Sequence, residues 1–596
     1  MENPCVRFDD LSPGGSGSFG LVGLTDTLVA RRVEDVTQVL DAVEKAAAAG
    51  YWVAGFVGYE AAPAFNPMLT VRPPDLHAPL RDLPLAHFQV FSTRVELDEV
   101  DSLVFPAGAY NVSGWSPDAT RQDYSESLAT TGRAIMAGEI SRGKYTFRLR
   151  AAFSGDPAAL YKDLLLAQRG PYAACIDTGR FRLVSASPER FFRRTGSTLT
   201  VSPVLASIRR GRWLEEDEQL AAVLSAEAET SYANRTLMKE IEAELAELGD
   251  LVAVPLQDRL RVERMEILWH LTARVGVHLR DDIRLADIFA ALFPSVAVTG
   301  VPKPEAMELI AATEDTARGA YCGAIGFVAP ESEGSEGATF SVAVRTVVID
   351  QDEGVAEYGV GTAITNTSDV IGGYEEARLK ARILVERRPE FRIAEDFRVE
   401  NGVVRAMQVK IDSMLASARY FGFSADRGSL GAVLRRAASG DKSMLLRIML
   451  DRGGVIKTEE TPAPDWFETP DGAPQLEAAI AAQPVSAENA FLFHHTTSTR
   501  LSELFRRQYP TASEVVLINE QDEVAGTLAG NVAVMIDGRW ATPPRGCGTT
   551  AGAFRQRLID AHQLDVRVIS SEQLLASDAV AAIDDVFGWR LLDLKD

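Results

Sequence analysis

Stretches of hydrophobic residues of strand length recur through the first part of the chain. The segment Tyr51–Phe65 predicts a buried strand that runs into a turn, and Pro171–Ser187 predicts a hairpin around Thr178-Gly179. The Gly/Ser-rich segment Pro4–Gly20 predicts irregular structure. Three more stretches have the composition of single strands: Tyr321–Ala329, Ala338–Asp350 and Gly354–Ile364.

Helical periodicity separates these strands. The acidic, Ala/Leu-rich segment Glu215–Leu248 predicts a long helix that is broken at Thr230–Asn234. Further helices are predicted at Lys303–Asp315 and Gly373–Arg388. Strands and helices interleave along the chain, so we predict a mixed α/β (α+β) fold.

The pattern changes at Arg387–Asn401, which we interpret as a junction. Beyond it, Ser413–Phe423 predicts a helix, and strands are predicted at Met444–Leu450 and Glu514–Glu520. The intervening segment Thr458–Gln483 is rich in Pro, Glu and Asp and predicts a loop. A chain of 596 residues exceeds one hydrophobic core. We therefore predict two domains, 1–390 and 398–596.

Composition narrows the class of function. A net charge of −23 argues against a nucleic-acid surface, because phosphate binding needs clustered Lys and Arg. No apolar run approaches the length of a membrane span, and the N-terminus lacks the features of a secretory signal. The 4 cysteines show no spacing typical of a disulfide or zinc site. We expect a cytoplasmic protein.

Several short motifs in the first domain occur in a fixed order. They are SPERF at Ser187–Phe191, WHL at Trp269–Leu271, TGVPKPEAM at Thr299–Met307, RGAYCGAIGF at Arg318–Phe327, VAVRT at Val342–Thr346 and YGVGTAITNTSD at Tyr358–Asp369. Together they resemble the chorismate-utilising enzymes, specifically component I of aminodeoxychorismate synthase and its anthranilate and isochorismate relatives. The resemblance implies packed β-sheets with outer helices and a pocket for a small carboxylated ring, as in para-aminobenzoate synthesis.

The resemblance also assigns roles to individual residues. It places Glu189 as general acid/base, with His270 as a second catalytic candidate. The implied substrate-binding residues are Arg210, Thr299, Gly300, Arg345, Gly361 and Lys380. Structural roles stay open for some of them, because Arg345 could be an ordinary strand residue and Lys380 the helical partner of Glu376.

Two departures from the family pattern concern the reaction itself. Leu205 stands where family members that form a covalent intermediate have a lysine, and its side chain cannot act as a nucleophile. The family's magnesium carboxylates are replaced at Ala233 and Gly373, which leaves Glu376 alone in register. One carboxylate beside a lysine is a poor Mg²⁺ site and a good salt bridge. We expect weak Mg²⁺ binding or none.

The second domain resembles fold-type IV pyridoxal-phosphate (PLP) enzymes, in particular aminodeoxychorismate lyase. The motifs are SARYFGF at Ser417–Phe423, FLFHHTTSTR at Phe491–Arg500, VVLINEQDEVAGTLAGN at Val515–Asn531 and WATPPRGCGTTAGAFR at Trp540–Arg555. His495 replaces the Schiff-base lysine, Gly526 the acidic partner of the cofactor, and Ser413 an arginine of the cofactor site. Imidazole cannot form an aldimine, so we expect no PLP chemistry in this α+β domain.

Three hypotheses remain open from the sequence. The first is an enzyme that acts on chorismate or a related ring in the first domain, with a structural second domain. The second is a repurposed biosynthetic enzyme with a different substrate, and the third is a non-catalytic protein that binds a ligand or partner. No glutaminase segment occurs, so nitrogen transfer would require ammonia from solution or from a separate glutamine amidotransferase subunit.

Overall fold

A computed structural model describes residues 6–12, 14–15, 17–75, 78–97, 108–253, 259–330, 337–366, 368–385, 390–439 and 443–595. The chain forms two compact units. The first comprises Met1–Arg210 with Ala221–Arg388, and the second comprises Gly211–Leu220 with Pro389–Asp596. No helix among the described residues is long and apolar enough to cross a membrane.

The first unit contains the following elements. Its strands are β1 (Val6–Asp9), β2 (Ser18–Ala30), β3 (Trp52–Val57), β4 (Ala86–Leu97), β5 (Tyr110–Val112), β6 (Ser116–Pro117), β7 (Gly143–Gly155), β8 (Tyr172–Asp177), β9 (Phe181–Ser187), β10 (Arg190–Thr195), β11 (Thr198–Ser202), β12 (Val204–Arg209), β13 (Gly249–Leu251), β14 (Leu260–Arg264), β15 (Leu268–Ala273), β16 (Val275–Leu279), β17 (Ala324–Val328), β18 (Ala338–Val342), β19 (Thr346–Asp350) and β20 (Val355–Ile364). Its helices are α1 (Val36–Ala48), α2 (Arg121–Met136), α3 (Pro157–Gln168), α4 (Leu214–Thr230), α5 (Tyr232–Ala246), α6 (Leu285–Leu292), α7 (Lys303–Thr313) and α8 (Val370–Ala381), of which α4 begins in the second unit.

Most of these strands join one antiparallel sheet. Its hydrogen-bonded path runs β13-β16-β11-β10-β18-β17-β3-β4-β2-β1-β8-β9-β19-β20-β7, and β5 and β6 pair with β7. The strands β12, β15 and β14 form a separate small sheet. Apolar side chains of β3, β4, β10, β18 and helices α1, α5 and α6 pack into a continuous core. The end of this path formed by β20 and β7, together with the small sheet, positions the candidate site.

The second unit has its own elements and cores. Its strands are β21 (Ile393–Glu400), β22 (Val403–Val404), β23 (Met444–Leu450), β24 (Ile456–Pro462), β25 (Gln475–Ile480), β26 (Glu514–Ile518), β27 (Val524–Thr527), β28 (Asn531–Ile536), β29 (Arg539–Thr542), β30 (Asp565–Val566), β31 (Ala579–Asp584) and β32 (Gly588–Leu594). Its helices are α9 (Met407–Phe421), α10 (Arg427–Ala437), α11 (Arg500–Gln508), α12 (Ala553–Asp560) and α13 (Ser571–Leu575). One sheet has the order β22-β21-β23-β24, and a second has the order β27-β26-β25-β32-β31-β28-β29-β30.

Several predicted elements are confirmed, as is the mixed α/β class. The hairpin at Pro171–Ser187 is β8 paired with β9, and the break predicted at Thr230–Asn234 separates α4 from α5 at Ser231. The Ser231 hydroxyl accepts a hydrogen bond from the backbone N–H of Asn234, which caps the new helix. Helix α9 ends at Gly422, whose φ of 72° lies in the left-handed region that favours glycine.

Three predictions are wrong. The segment Ala338–Asp350 is two strands, because the backbone turns at Arg345, where φ is 55°. The predicted loop Thr458–Gln483 contains most of β24 and all of β25. Polar side chains are tolerated on the exposed edge strand β24, and β25 is held by pairing with β26 and β32. The predicted irregular segment Pro4–Gly20 contains β1, which is held between β2 and β8. The segment Arg387–Asn401 stays the predicted junction, and its described part includes β21.

Candidate active site

The first unit contains a cavity at which its two sheets meet. About 790 Å³ of space, part of it open to solvent, lies between β7 and β20 of the large sheet, β12 and β15 of the small sheet, and α8. Charged side chains of both signs line it, among them Lys144 of β7 and Glu376 and Lys380 of α8. A concave site with a few convergent polar groups is typical of the place where a protein binds a small molecule.

The cavity collects residues that are far apart in the sequence. Those predicted from the motifs that line it are Glu189, Leu205, His270, Arg345, Gly361, Glu376 and Lys380. The other predicted site residues of this unit do not line it within the described part of the chain, and these are Arg210, Ala233, Thr299, Gly300 and Gly373. Tertiary structure therefore supports only part of the predicted site.

Glu189 presents a buried carboxyl group to the cavity. It lies between β9 and β10, is 5% exposed, and its Oε1 accepts a hydrogen bond of 3.2 Å from the backbone N–H of Val204. Burial raises the pKa of Glu189 to about 7, against the opposing effects of Lys144 and Arg142. A carboxyl group with such a pKa is present in both protonation states near neutral pH, as a general acid/base requires.

His270 lines the cavity from β15, where it pairs in register with Ser207 of β12. The side chain is buried, and its Nδ1 has no hydrogen-bond partner among the described residues. Burial, with Arg345 and Lys380, lowers the pKa of His270 to about 3, so the ring is neutral. A buried, unpaired ring nitrogen is costly unless a ligand completes its hydrogen bond.

Arg345 and Lys380 are held by one hydrogen-bond network. The Nη1 of Arg345 donates to the carbonyl oxygen of Lys380 at 2.6 Å, and the Tyr358 hydroxyl donates to the same oxygen at 3.1 Å. The Lys380 ammonium donates to the Gly361 carbonyl at 3.0 Å and lies 2.6 Å from Glu376 Oε1. Burial opposes the charge of Glu376, but Lys380 outweighs it and lowers the pKa of that carboxyl. The network orients two cations toward the cavity.

Two further cations of the cavity were not predicted. Arg142 immediately precedes β7, and Lys144 is the second residue of that strand. Arg142 is buried and donates a hydrogen bond from Nη2 to the Leu205 carbonyl oxygen at 3.1 Å. Its Nε has no partner among the described residues. Burial, together with Lys380 and Arg142, lowers the pKa of Lys144. The sequence signal was the alternation of Lys144, Thr146 and Arg148 with apolar residues in a strand.

Three predicted substrate-binding residues have structural contacts instead. Arg210 donates from Nη1 to the Met265 carbonyl at 2.8 Å, and Thr299 donates to the Ser295 carbonyl at 3.2 Å. A side chain at Gly300 would overlap the Arg142 carbonyl, so glycine here allows the close approach of the strand that carries Arg142. Their binding roles stay predictions that the cavity lining does not support.

The two positions where the resemblance expects magnesium carboxylates, Ala233 and Gly373, have different surroundings. Ala233 lies half-buried near the start of α5. At Gly373 on α8, a Cβ atom would overlap the hydroxyl of Tyr124, which is fully buried and hydrogen-bonded to Thr362 at 2.8 Å. Tyr124 therefore occupies the space that a carboxylate side chain at 373 needs. Among the described residues no group of three or more His, Cys, Asp and Glu could hold a metal ion.

In the second unit, His495 belongs to a buried charge cluster. Its Nδ1 lies 3.0 Å from Glu395 Oε2, and the Lys410 ammonium lies 3.1 Å from Glu395 Oε1. Burial disfavours the charge of Glu395, but Lys410 and His495 lower the pKa of that carboxyl to about 2. Lys410 also donates to the Asp396 carbonyl, so its ammonium is engaged on several sides.

The N-terminus of α12 is also engaged by the protein. The Asp585 carboxylate accepts hydrogen bonds from the backbone N–H groups of Ala553 at 3.1 Å and Phe554 at 2.7 Å. These are the groups with which a helix would bind a phosphate. Gly526 lies on β27 with Thr549 near its Cα, and Ser413 is half-buried on α9.

Comparisons with known proteins agree with this division of the chain. Residues 20–386 match the family described as chorismate binding enzyme, and residues 392–590 match the family described as amino-transferase class IV. Anthranilate synthase component 1 of Haloarcula marismortui is 32% identical over 269 residues, covering 45% of this chain and 54% of that protein. Aminodeoxychorismate synthase component 1 of Bacillus subtilis is 27% identical over 246 residues, covering 41% of this chain and 51% of that protein.

The chain thus spans about half the length of the curated relatives that it matches. Among solved structures, a 2,3-dihydroxybenzoate-specific isochorismate synthase from Bacillus anthracis superposes with a TM-score of 0.51 at 18% identity. The match covers 64% of this chain and 95% of that one. At this identity the likeness supports the fold alone.

Proposed function

The chain belongs to the family of chorismate binding enzymes, and from this premise we propose that the cavity of its first unit acts on chorismate or on a related small carboxylated ring. One observation carries the proposal: a buried carboxyl group, a neutral histidine and several cations converge on one cavity. The reaction class is that of 4-amino-4-deoxychorismate and para-aminobenzoate synthesis, in a divergent form.

The cations would bind the carboxylates of the ring. Arg345 and Arg142 are both buried, and each is oriented by a hydrogen bond to a backbone carbonyl. Charge-assisted hydrogen bonds from such preorganised donors are stronger than neutral ones and need little rearrangement on binding. The unpaired Nδ1 of His270 would complete the recognition of a polar ring substituent.

Glu189 would be the general acid/base. In its protonated form it can donate a proton to a ring hydroxyl that leaves, and the resulting carboxylate is stabilised by the Val204 N–H and by the nearby cations. Proton transfer by a positioned group contributes on the order of 10²–10⁴-fold to a rate. The reaction supported best is therefore loss of a hydroxyl coupled to addition of a nucleophile.

The nucleophile must be a small molecule. Leu205 lines the cavity but offers no reactive atom, so a covalent enzyme intermediate at this position is excluded. Water or ammonia can enter the open side of the cavity, and ammonia would come from solution or from a separate glutamine amidotransferase subunit.

Neither cofactor implied by the two families fits the described residues well. For Mg²⁺, Glu376 is paired with Lys380, and Tyr124 fills the space beside Gly373. For PLP, His495 replaces the lysine, and the N-terminus of α12 is occupied by a carboxylate of the chain. We infer that the second unit is structural and that catalysis is confined to the first, within a cytoplasmic protein.

One observation favours a second candidate, a repurposed enzyme with a different ring substrate. Ala297 and Val298 line the cavity, and the two residues before them, Ser295 and Val296, stand where the resemblance places glycines. Side chains at positions 295 and 296 restrict the approach of a ligand to the backbone of this loop more than glycines would. A smaller or differently substituted ring carboxylate would fit this constraint.

The test is to incubate the full chain with chorismate, with and without ammonium and Mg²⁺, and to identify products by mass spectrometry. We expect turnover that the E189Q variant loses while it still binds chorismate in calorimetry. Binding without turnover in the wild type would favour the non-catalytic hypothesis. Absence of both would contradict chorismate as the ligand, and a panel of smaller ring carboxylates would then test the repurposed enzyme.

A further inference from the structure

The charges that line the cavity are unequal in number. Its carboxylates are Glu189 and Glu376, whereas its cationic side chains are Arg142, Lys144, Arg345 and Lys380. Burying an excess of positive charge is unfavourable unless a counter-charge accompanies it. The empty cavity is therefore complementary to a ligand that carries about two negative charges.

The cavity lacks the ligands that a divalent cation would need. Mg²⁺ prefers oxygen ligands in octahedral geometry and is usually held by one or two carboxylates with substrate and water. Glu376 is the carboxylate of α8 that faces the cavity, and one of its oxygens lies 2.6 Å from the Lys380 ammonium. At Gly373, one turn earlier on the same helix, the hydroxyl of Tyr124 excludes any side chain.

Lys144 occupies a different wall of the same cavity. It lies on β7 opposite Ala363 of β20, two residues along the strand from the pair Thr146 and Gly361. The Gly361 carbonyl accepts a hydrogen bond from Lys380. The Lys144 ammonium forms no ion pair or hydrogen bond among the described residues, although Glu189 and Glu376 contribute to its electrostatic environment. Burial lowers the pKa of Lys144 to about 7, and an anionic ligand beside it would favour the charged form.

We propose that the ammonium groups of Lys144 and Lys380 replace the divalent cation, so that this cavity binds a ring dicarboxylate without metal. Each ammonium is a compact point charge, and two of them supply the same formal charge as one Mg²⁺. Lys380 is held by Glu376 and the Gly361 carbonyl, whereas the Lys144 ammonium forms no ion pair or hydrogen bond among the described residues. The proposal rests on the proposed function only in that both concern the same cavity.

The experiment uses calorimetry on the full chain with benzene-1,3-dicarboxylate as the probe, in chelator and in excess Mg²⁺. We expect the same Kd in both conditions, and a loss of about tenfold, equivalent to about 1.4 kcal/mol, in the K144M variant. The matched control is K457M, which removes an exposed lysine of β24. Equal affinity of K144M and the wild type would overturn the proposal, as would tighter wild-type binding in Mg²⁺ or absence of binding in both conditions.

A second variant converts the charge instead of removing it. K144E places a carboxylate near Glu189 and Glu376, so it should lose metal-free binding and recover about tenfold or more of the affinity when Mg²⁺ is added. Circular dichroism and gel filtration establish that each variant is folded. A K144E variant that binds the probe as the wild type does, with no response to Mg²⁺, would contradict the proposal.

The same measurements with chorismate separate this proposal from the proposed function. Chorismate turnover that requires Mg²⁺ would retain the proposed function and overturn metal-free binding. Metal-free binding of the probe without any binding of chorismate would do the reverse.

Discussion

The Gly373→Ala substitution tests whether the space of the missing metal carboxylate is truly filled. Gly373 lies in the first turns of α8, where alanine should be favoured over glycine by about 0.5–1 kcal/mol because it has the higher helix propensity. A Cβ at this position, however, would overlap the Tyr124 hydroxyl and lie 2.9 Å from Tyr124 Cζ. The prediction is therefore a loss of stability where helix propensity alone predicts a gain.

The magnitude follows from the contacts of Tyr124. Carbon atoms pack favourably at about 3.5–4.0 Å, so the ring must move by several tenths of an ångström. Tyr124 is 0% exposed and cannot move into solvent. Overpacking of this kind costs about 1–3 kcal/mol, and breaking the 2.8 Å hydrogen bond to Thr362 adds about 0.5–1.5 kcal/mol. After the gain in propensity, we expect a net destabilisation of about 1–3 kcal/mol.

The assay must localise the effect, because two units unfold in this chain. Native-state hydrogen exchange, detected by mass spectrometry, gives the opening free energy of peptides from α8 and β20. Gly132→Ala on α2 is the matched control, since a Cβ there would meet no atom within 4 Å. In a double-mutant cycle, Y124F should relieve about 1 kcal/mol or more of the penalty of G373A.

Two outcomes would refute the reasoning. If G373A stabilises α8 to the same extent as G132A stabilises α2, Tyr124 does not fill the space beside position 373. If the penalty is present but Y124F leaves it unchanged, the clash has another source. In either case the exclusion of a metal ligand at position 373 loses its structural basis.

The remaining predictions concern one carboxyl group of each unit and the replaced lysine. Because burial raises the pKa of Glu189 to about 7 and a general acid is active when protonated, kcat/KM should fall as pH rises above about 7. This limb should be absent from the residual activity of E189Q, and a residual activity with the wild-type pH profile would exclude the role. The E395Q variant removes the carboxylate that lies nearest the buried Lys410 ammonium, and it should destabilise the second unit by about 3–5 kcal/mol in urea unfolding. The control variant E460Q changes an exposed glutamate and should have little effect. The pKa of Glu395 is about 2 in the folded protein, which is below its pKa in the unfolded chain. The contribution of Glu395 to the free energy of unfolding is therefore present above the unfolded pKa and should be lost as pH falls toward 2. A free energy of unfolding that is constant over this range would contradict the ion pair. H495K should not restore PLP binding, because the new ammonium would pair with Glu395 and a carboxylate already caps α12; an aldimine absorbance band that borohydride reduces would show the opposite.

Much of the first unit was predictable because its signals are local. Apolar runs of strand length and the Ser231 cap depend on neighbouring residues, so the hairpin β8–β9 and the break between α4 and α5 could be derived from sequence. The SPERF and VAVRT motifs led to Glu189 and Arg345, both of which line the cavity.

Other features depend on distant partners and could not be derived in this way. The polar strand β24 is stabilised by its neighbour β23. The connection between β18 and β19 contains Arg345, whose backbone adopts a left-handed conformation that no local signal marked. Arg210 and Thr299 resemble ligand-binding residues in sequence, but the fold directs them to the carbonyl groups of Met265 and Ser295.

By itself, the sequence determined many of the elements and where the pattern changes between the two parts of the chain. It also determined which reactive groups are absent, since Leu205, Gly373 and His495 cannot acquire new atoms by folding. Only the tertiary structure decided what replaces those groups. Tyr124 fills the space beside Gly373, and Lys144 joins Glu189 in one cavity, from positions far apart in the chain. The physical reason is that side-chain identity is a local property, whereas burial, charge balance and filled volume arise only when distant segments pack together.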